Sequence, residues 1–435
     1  MTYAEAVARL LALRGGEMAG LRPGLERIEA LLDALGHPER TYRIAQVAGT
    51  NGKGSIAAML AAICTSAGLR TGLYTSPHLC SFRERIRIDG RAIAEADVVD
   101  GVEAIGTLVA RLDASVFEAA TALALDHFAR QAADIAVLEV GLGGRFDSTT
   151  VGRPEVELIG PIDYDHQAWL GTTLAEIAAE KAGIIRSGVA LSARQAPEAE
   201  AVLVRRADEA GVPLLFEGRD LRASVKSFSL RGQTLDLAGP GWRLDAARCG
   251  LLGAFQAGNA VLAAGAAHFL GIAEGPVRLG LAQARWPGRF QVLQEDPLVI
   301  LDGAHNPAGA RALAASLAQY CPGQPVTFVL SIFADKDRAG IVEALAPLAA
   351  RIILTRPSSP RATAPEDLRP FVAPHAARLP HGVQVAASPA EALAMATSPA
   401  VTPVVCVAGS LYLIGEILAE RGPTLDILPG SDAAA

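Results

Sequence analysis

Residues 47–55 read Val47-Ala48-Gly49-Thr50-Asn51-Gly52-Lys53-Gly54-Ser55. The residues before this segment, 42–48, predict a short strand, and residues 55–67 predict a helix that ends at a glycine. Glycines between a strand and a helix allow backbone N–H groups to turn toward phosphate oxygens, and the start of the helix adds the positive end of its dipole. Lys53 supplies a mobile positive charge. The segment therefore predicts a phosphate-binding loop in an α/β domain.

The loop departs from the strict P-loop pattern at two positions. Val47 stands where that pattern has its first glycine, and Gly54 stands where it has Ser or Thr. The alternative is an ordinary glycine-rich turn. We favour the phosphate loop because the strand, the helix, the lysine and the serine are all in place. The chain also has only four Lys, against 35 Arg, and only three Asn, so Asn51 and Lys53 belong to scarce residue types. Lysine can lose its proton, which arginine cannot.

The wider pattern predicts an α/β fold with two domains. Nearly continuous apolar runs at 134–140 and 156–162 are typical of buried parallel strands. Alternating residues over 217–250 predict antiparallel hairpins. Strand–helix alternation restarts after Trp286-Pro287-Gly288, which places a boundary near residue 290. We expect a P-loop-type, mostly parallel sheet domain over 1–290 and a smaller Rossmann-like α/β domain over 291–435. The tail after residue 418 is expected to fray.

Composition excludes several classes of protein. Hydrophobic residues make up 51% and charged residues 20% of the 435 residues, so the chain can bury substantial cores. The formal net charge of −7 argues against a nucleic-acid binder. The five Cys lie far apart without a CxxC pair, which argues against disulfides and zinc and fits a reducing cytoplasm. We predict neither a signal peptide nor a membrane span, which needs ~18 uninterrupted apolar residues.

Four further residues are candidates for a site beside the loop. Glu139 ends the strand predicted at 134–140, and Asp165-His166 follows the next strand. Ligands bind at the carboxyl ends of parallel strands, so these side chains are placed to hold a metal near phosphate. Lys181 lies on the following helix. The alternatives are a solvent-facing glutamate, a structural histidine and a solvated lysine.

Longer segments carry a resemblance to a known family. They are AGTNGKGS (48–55), YTSPHL (74–79), RERIRIDG (83–90), LEVGLGGRFDST (138–149), DHQAWLGTTLAEIAAEKAGI (165–184), FQAGNAVLA (255–263), PGRFQ (287–291), LDGAHNPAGA (301–310), DKD (335–337) and AGSLYLIGE (408–416). In this order they resemble the folylpolyglutamate synthase and dihydrofolate synthase family, which is related to the cell-wall Mur ligases. All three Asn and three of the four Lys fall inside them.

The resemblance implies an ATP-dependent, ADP-forming ligase that joins a folate-type carboxylate to the amino group of L-glutamate through an acyl phosphate. Residues 1–290 would bind ATP, and residues 291–435 would form the glutamate-ligase domain. A bifunctional enzyme acting on dihydropteroate and on folates is favoured, with a folylpolyglutamate synthase alone or a Mur-type amino-acid ligase as alternatives. A nucleotide switch is disfavoured because no Asn-Lys-x-Asp base-reading motif is present. The expected partners are small molecules and neither nucleic acid nor membrane, and a monomer is expected.

The resemblance also implies roles for individual residues. ATP is expected at Gly49, Thr50, Asn51, Gly52, Lys53, Gly54, Ser55, Asn259, Arg289 and Asp302. Two Mg²⁺ are expected at Ser76, Glu139, His166 and a carbamylated Lys181. The residues expected to have catalytic roles are Lys53, His166, Lys181 and His305. The residues expected to bind substrate are Gly24, Leu25, Phe146, Asp147, Ser148, Arg83, Arg85 and Ser410.

Two parts of this assignment leave alternatives. The family's usual run Leu-Asp-Ala-Thr-Asn is here Phe146-Asp147-Ser148-Thr149-Thr150, which bears on substrate preference and not on the reaction class. Arg83, Arg85 and Arg87 are suited to pair with substrate carboxylates, or else form a salt-bridged strand edge.

Overall fold

The computed structural model describes residues 1–16, 22–359, 361–422 and 425–428. Its largest sheet has the strand order β4-β3-β2-β5-β1-β6-β7-β8. These strands are β1 (Arg43–Ala48), β2 (Thr71–Tyr74), β3 (Ile86–Ile88), β4 (Arg91–Ala92), β5 (Ile135–Glu139), β6 (Val156–Ile159), β7 (Val189–Ser192) and β8 (Leu214–Phe216). All neighbouring pairs are parallel except those that β3 makes with β2 and β4. The strand before the phosphate loop, β1, is central and pairs with β5 and β6.

Helices cover both faces of this sheet. They are α1 (Tyr3–Leu11), α2 (Glu26–Ala34), α3 (Lys53–Ser66), α4 (Glu95–Leu112), α5 (Val116–Arg130), α6 (Gln167–Leu170), α7 (Leu174–Ala182), α8 (Pro197–Ala210), α9 (Gln256–Phe269) and α10 (Glu274–Gln283). Helix α3 is apolar on all sides because it is enclosed by the sheet, α9 and α10. It begins at Lys53, two residues earlier than predicted. The spacing Thr173-x-x-Glu176 predicts a capping box at a helix start, and the structure confirms it at the start of α7.

The hairpins predicted over 217–250 are confirmed as a separate three-stranded antiparallel sheet. Its strands are β9 (Arg222–Ser229), β10 (Gly232–Gly239) and β11 (Trp242–Cys249), in the order β11-β10-β9. Its apolar side chains, among them Leu235, Leu237 and Leu244, join the core that contains α3 and α9. The small sheet therefore extends the first unit.

The second large sheet has the order β12-β13-β17-β14-β15-β16, with β12 antiparallel and the others parallel. Its strands are β12 (Gln291–Glu295), β13 (Leu298–Leu301), β14 (Val326–Leu330), β15 (Ala349–Leu354), β16 (Val383–Val385) and β17 (Val404–Ala408). Its helices are α11 (Pro307–Tyr320), α12 (Arg338–Leu345), α13 (Pro365–Val372), α14 (Pro389–Thr397) and α15 (Leu411–Ala419). Short 3₁₀ helices lie at Leu13–Gly15, Pro38–Arg40, Phe82–Arg85, Ala346–Leu348 and Ala373–Arg378. The predicted α/β class with two parallel-dominated sheets is confirmed.

A short linker, residues 284–290, joins the two units. Trp286 packs against the core around α3, whereas Phe290 lies in the core of the second sheet. The predicted boundary at residue 290 is the end of this linker. Because the linker combines Pro287 and Gly288, we predict that it is the hinge about which the two units move.

The prediction of a frayed tail is wrong for residues 425–428. Ile427 is buried in the core of the first unit, and its N–H donates to the Gly90 carbonyl at 3.0 Å. The Asp426 carboxylate accepts from the Ala92 N–H at 3.0 Å. These contacts order the segment because they pair its backbone and bury an apolar side chain, neither of which is visible in its composition. In the part of the chain that the structure describes, no helix has the length and apolar character that crossing a bilayer requires.

Candidate active site

The phosphate loop lies at the carboxyl end of β1. Gly52, in the left-handed region with φ +81°, precedes the first residue of α3, and no side chain caps that helix start. The first N–H groups of α3 are therefore available to an anion. A side chain at Gly52 would meet the Asn259 Oδ1 atom at 2.7 Å from its Cβ, which explains the glycine. Asn259, predicted to contact ATP, thus lies against the loop.

Lys53 folds back over its own loop. Its Nζ donates to the carbonyls of Gly49 at 3.1 Å and Thr50 at 3.2 Å. Burial lowers the pKa of Lys53, and the nearby carboxylates Glu139 and Asp165 oppose that shift. The lysine is therefore held in a buried position beside the loop, where its positive charge would attract an anionic ligand strongly.

The structure explains why Gly54 departs from the strict P-loop. A Cβ at this position would lie 2.6 Å from the Trp286 indole Nε1 and 2.9 Å from its Cε2. The linker between the two units therefore covers the first turn of α3 and leaves no room for Ser or Thr. The next residue, Ser55, is buried, and its hydroxyl accepts from Gln256 Nε2 on α9 at 3.3 Å.

Glu139 and Ser76 meet beside the loop. Glu139 is the last residue of β5 and is 5% exposed. Its Oε2 accepts from the Ser76 N–H at 3.2 Å. Burial raises the pKa of Glu139, and Lys53 is the main group opposing that shift. Within the described residues, no group of three or more His, Cys, Asp and Glu side chains could hold a metal by itself.

Lys181 projects from α7 toward the same loop. It is 4% exposed, and its Nζ donates to the Gly49 carbonyl at 3.0 Å. Burial, followed by the positive charge of Lys53, lowers the pKa of Lys181 to about 7. A substantial fraction of this amine is therefore neutral at neutral pH.

Asp165 connects the two units. It accepts from Lys336 Nζ at 2.6 Å and from Asn306 Nδ2 at 3.0 Å, and His305 Nε2 lies 3.5 Å away. Burial alone would raise the pKa of Asp165, but the hydrogen bond and charge of His305, with the charges of His166 and Lys336, lower it. Asp165 is therefore ionised and holds three side chains of the second unit.

His166 follows this carboxylate and adopts a left-handed backbone with φ +51°. Burial lowers the pKa of His166 to about 4, so its imidazole is neutral at neutral pH. A neutral imidazole can act as a metal ligand.

The second unit contributes residues that follow its own parallel strands. Asp302, directly after β13, accepts from the N–H groups of Phe290 at 2.8 Å and Ala304 at 2.9 Å. Ser410, after β17, is buried and caps α15 by accepting from the Tyr412 N–H at 3.2 Å. Arg289 lies on the linker and donates to the Gly288 carbonyl at 3.0 Å. The carboxyl ends of the two large sheets thus face each other.

A cavity of about 470 Å³ lies between these ends. Its lining includes the predicted phosphate loop residues Gly49, Thr50, Asn51, Gly52, Lys53, Gly54 and Ser55, the predicted metal residues Ser76, Glu139, His166 and Lys181, and Asn259, Arg289, Asp302, His305 and Ser410. The fold therefore brings residues from position 49 to position 410 into one site.

Some of the predicted substrate residues line the cavity and others do not. Phe146, Asp147, Ser148 and Arg85 line the cavity. Gly24 and Leu25 are outside its lining, where Arg22 and Pro23 stand instead, and Leu25 packs against the core.

The other two arginines make contacts outside the cavity lining. Arg83 donates to the Ile93 carbonyl at 2.5 Å and faces Glu95, and Arg87 donates to the Leu425 carbonyl at 3.2 Å. The geometry gives no support for substrate binding by Arg83, Gly24 or Leu25.

Sequence reasoning missed several cavity residues. Lys336 lies inside one of the family segments but received no role, and Phe117 and Ser115 were not singled out. Asn306, which donates to the cavity residue Asp165, also received no role. The scarcity of lysine was a usable signal for Lys336, since three of the four lysines line the cavity. Nothing in the local pattern marked Phe117.

Comparison with known proteins agrees with this geometry. Residues 47–267 match the family model described as Mur ligase middle domain, and residues 288–411 match Mur ligase, glutamate ligase domain. A dihydrofolate synthase/folylpolyglutamate synthase of Mycobacterium tuberculosis is 40% identical over 373 residues, which cover 80% of this chain and 77% of the relative. A folylpolyglutamate synthase of Lacticaseibacillus casei is 34% identical over 432 residues, covering 96% and 98%.

Solved structures show the same likeness. The Mycobacterium tuberculosis folylpolyglutamate synthase complexed with ADP and AMPPCP superposes with a TM-score of 0.88 at 37% identity. The match covers 96% of this chain and 99% of that chain. The similarity therefore extends over both units and not over the phosphate loop alone.

Proposed function

Because the chain belongs to the Mur ligase family, in the branch of the dihydrofolate synthases and folylpolyglutamate synthases, we propose that it joins L-glutamate to dihydropteroate and to reduced folates, cleaving ATP to ADP and phosphate. The observation that carries the proposal is the single cavity that collects the phosphate loop and the polar strand ends of both sheets. A relative of 40% identity is named for both activities.

The ATP phosphates are proposed to lie on Gly49–Ser55, where free N–H groups at the start of α3 and Lys53 meet them. Asn259, Arg289 and Asp302 are proposed to hold the rest of the nucleotide. Arg289 and Asp302 come from the linker and the second unit, so ATP would touch both units. Binding of ATP would then favour their approach.

The residues present fit two magnesium ions that are completed by phosphate oxygens. Mg²⁺ prefers oxygen ligands, and several of these ligands are usually water molecules or substrate phosphate oxygens. A site with few protein ligands therefore suits it. Glu139 and Ser76 would hold one ion, and Glu139, neutral His166 and Lys181 the other. When bound, magnesium would withdraw negative charge from the phosphate oxygens.

We propose that Lys181 carries a carbamate. Its neutral amine attacks the carbon of carbon dioxide, one proton leaves, and the product has two oxygens and a negative charge. The buried amine beside Lys53, with its pKa lowered to about 7, meets the requirement for a neutral nucleophile. An unmodified ammonium would repel magnesium. The alternative is an unmodified Lys181 that pairs with Glu139 or a phosphate.

In the proposed reaction the substrate carboxylate attacks the terminal phosphorus of ATP, and the bond from that phosphorus to ADP breaks. The amine of glutamate then attacks the acyl carbon and phosphate leaves. His305 and Ser410 are proposed to orient the substrate or the incoming glutamate, with Phe146 and Ser148 on the pteridine side. Approach of the two units would keep water from the acyl phosphate.

The test measures ADP release with each substrate omitted in turn. ADP release that requires both L-glutamate and either dihydropteroate or tetrahydrofolate is expected. Activity with tetrahydrofolate but none with dihydropteroate would leave the folylpolyglutamate synthase alternative. Glutamate-independent ADP release, or activity only with a UDP-linked peptide precursor, would overturn the proposal. Cytoplasmic location and a monomeric state stay predictions.

A further inference from the structure

The loop at 141–150, which follows β5 and lines the cavity, is built around the Asp147 carboxylate. Asp147 Oδ2 accepts from the N–H groups of Gly141 at 3.0 Å and Leu142 at 2.9 Å. Its Oδ1 accepts from the Thr149 N–H at 3.0 Å and from the Thr149 hydroxyl at 2.6 Å. Two bonds to each oxygen occupy the acceptor positions of a carboxylate. Asp147 therefore organises its own loop.

A buried glutamine lies beneath this loop. Gln46, in the centre of β1, is fully buried, and its Nε2 donates to the hydroxyls of Thr149 at 3.2 Å and Thr150 at 2.8 Å. Its Oε1 accepts from the Arg186 guanidinium at 3.1 Å. The orientation of the amide follows from chemistry, because a guanidinium can only donate and must face the oxygen. The Nε2 group then faces the threonines.

The orientation of the Gln46 amide fixes the direction of the hydrogen bonds that the Thr149 and Thr150 hydroxyls make. Each threonine hydroxyl has one hydrogen, and since it accepts from Gln46 it must donate elsewhere. Thr149 donates to Asp147 Oδ1, and Thr150 donates to the Gly144 carbonyl at 2.6 Å. Arg186, Gln46, Thr149 and Asp147 thus form a chain of hydrogen bonds with one direction, from a cation to an anion, and Thr150 is a branch that ends at the Gly144 carbonyl. We call it the relay.

The far end of the relay is anchored in the sheet. Arg186 also donates to the Gly152 carbonyl at 3.1 Å, and its backbone N–H donates to Glu157 Oε1 at 3.1 Å. Glu157 lies on β6 and pairs in register with Gln46. Because this region is screened from water, its hydrogen bonds have no solvent competitor and their loss is costly.

We propose that Gln46 is a positioning residue that fixes the 141–150 loop against the sheet, and through that loop the pteridine end of the substrate. The inference rests on the proposed function for the identity of that substrate. The side chain of Gln46 is connected to the cavity through the threonines of this loop, so loss of its side-chain donors should act mainly on the side of the cavity that the loop forms. The relay also gives a reason for Thr150, which stands where the related run has Asn: one hydroxyl both accepts from Gln46 and donates to Gly144.

The test compares variants that keep the shape of the relay but change its donors. Gln46→Glu has the same shape and, as a carboxylate beside the Arg186 guanidinium, cannot donate to the threonines. We expect its KM for dihydropteroate to rise roughly tenfold, the order of effect when a buried partner is lost, while its KM for ATP stays within about twofold. Thr149→Val is expected to behave alike, and Thr149→Ser, which keeps the hydroxyl, is expected to restore the wild-type KM.

Thr327→Val is the matched control. Thr327 is fully buried in β14 and pairs with the Thr402 hydroxyl at 2.7 Å, so this variant also loses a buried hydroxyl but leaves the relay intact. Its KM for dihydropteroate is expected to be unchanged. An equal rise in the control, or an equal rise in the KM for ATP in Gln46→Glu, would reduce Gln46 to a structural residue and overturn the inference.

Amide hydrogen exchange over residues 141–150 gives a second measurement that does not depend on activity. Faster exchange in Gln46→Glu and Thr149→Val, and wild-type exchange in Thr149→Ser, supports the relay. Unchanged exchange in both broken variants overturns it, even if the wild type is an active ligase. If the wild type shows no glutamate-dependent ADP release, the proposed function fails. The hydrogen-exchange measurement still tests whether the relay fixes the 141–150 loop. If Gln46→Glu does not fold, the Thr149 pair decides.

Discussion

Two loops that leave neighbouring strands of the same sheet are held in place by different means. The phosphate loop after β1 includes local contacts that its own sequence reveals: Lys53 donates to the carbonyls of Gly49 and Thr50, four and three residues away, and the distant Lys181 adds a bond to the Gly49 carbonyl. The 141–150 loop after β5 is fixed by Gln46, which is 103 residues away from Thr149, and by Arg186, which is 140 residues away from Gln46. A loop fixed locally can be recognised from a short string, and a loop fixed through the sheet cannot.

The largest expected effect comes from breaking the first loop at Lys53. Lys53→Ala removes the charge aimed at the phosphates, and such preorganised groups are typically worth a factor of roughly 10²–10³ in rate. We expect the rate of ADP release to fall by that factor while the melting temperature stays near that of the wild type.

Lys226→Ala is the matched control for Lys53→Ala, because Lys226 is exposed on β9, where it pairs with Asp236. Normal turnover in Lys53→Ala would contradict the role given to the loop.

Lys181 tests whether the first loop also depends on a distant residue. Lys181→Ala is expected to reduce turnover by roughly 10²-fold, and short carboxylic acids added to the assay are expected to restore part of it by occupying the place of the carbamate. Lys181→Arg keeps a positive charge but offers no neutral amine, so it should remain inactive.

Isotope-labelled bicarbonate and carbon NMR provide a direct readout of the carbamate. A labelled carbamate signal that persists in Lys181→Ala, or full activity in Lys181→Arg, would rule out the modification.

Gly54 tests the tertiary contact between the linker and the phosphate loop. Gly54→Ser restores the strict P-loop residue but places a Cβ against the Trp286 indole. We expect a roughly tenfold loss of turnover, because small displacements of groups that bind the reacting parts are costly, and a loss of stability of about 1–3 kcal/mol from overpacking. Gly275→Ser, at a helical glycine with open space around it, is the control. An active, stable Gly54→Ser variant would show that the indole moves aside.

Glu157 gives the smallest effect and concerns the anchor of the second loop. Burial raises the pKa of Glu157 to about 7 from an ordinary value of 4.5, against the opposing N–H groups of Ser187 and Arg186 and the charges of Arg186 and Arg206. The folded protein therefore holds a proton that the unfolded chain has lost, so stability falls as pH rises from about 4.5 and the loss is complete above about 7.

Glu157→Gln cannot ionise, so its melting temperature relative to the wild type should rise by a few degrees between pH 5 and pH 8. Glu155→Gln is the control of opposite sign, because a hydrogen bond and the charge of Arg43 lower the pKa of Glu155. Its relative melting temperature should fall slightly as pH rises toward about 4.5, and only slightly because the pair is exposed. Between about pH 5 and pH 8 it should stay constant, because the carboxylate is then ionised in both the folded and the unfolded state. A pH-independent difference for Glu157→Gln would mean that this carboxyl titrates normally.

The fold was predictable where the pattern repeats. Apolar runs predicted β5 and β6, alternation predicted the antiparallel sheet at β9–β11, and a capping box predicted the start of α7. The short strands β3, β4 and β16 were not predicted, because a strand of two or three residues has no period to detect. The packing of Ile427 against the first unit was missed for a similar reason, since a single apolar residue in a polar tail carries no pattern.

Sequence alone determined the phosphate loop, the positions of Glu139 and His166 after their strands, and the class of reaction. Each of these depends on residues that are close together in the chain or on short motifs that can be recognised as a whole. Only the tertiary structure decided which residues meet across the sheet and between the units. Lys336 at Asp165, Trp286 on Gly54 and Gln46 beneath Thr149 are contacts between residues more than 100 positions apart. Side-chain hydrogen bonds and packing act over a few ångströms, and the distances that matter to them are set by strand order and helix packing, which no local segment encodes.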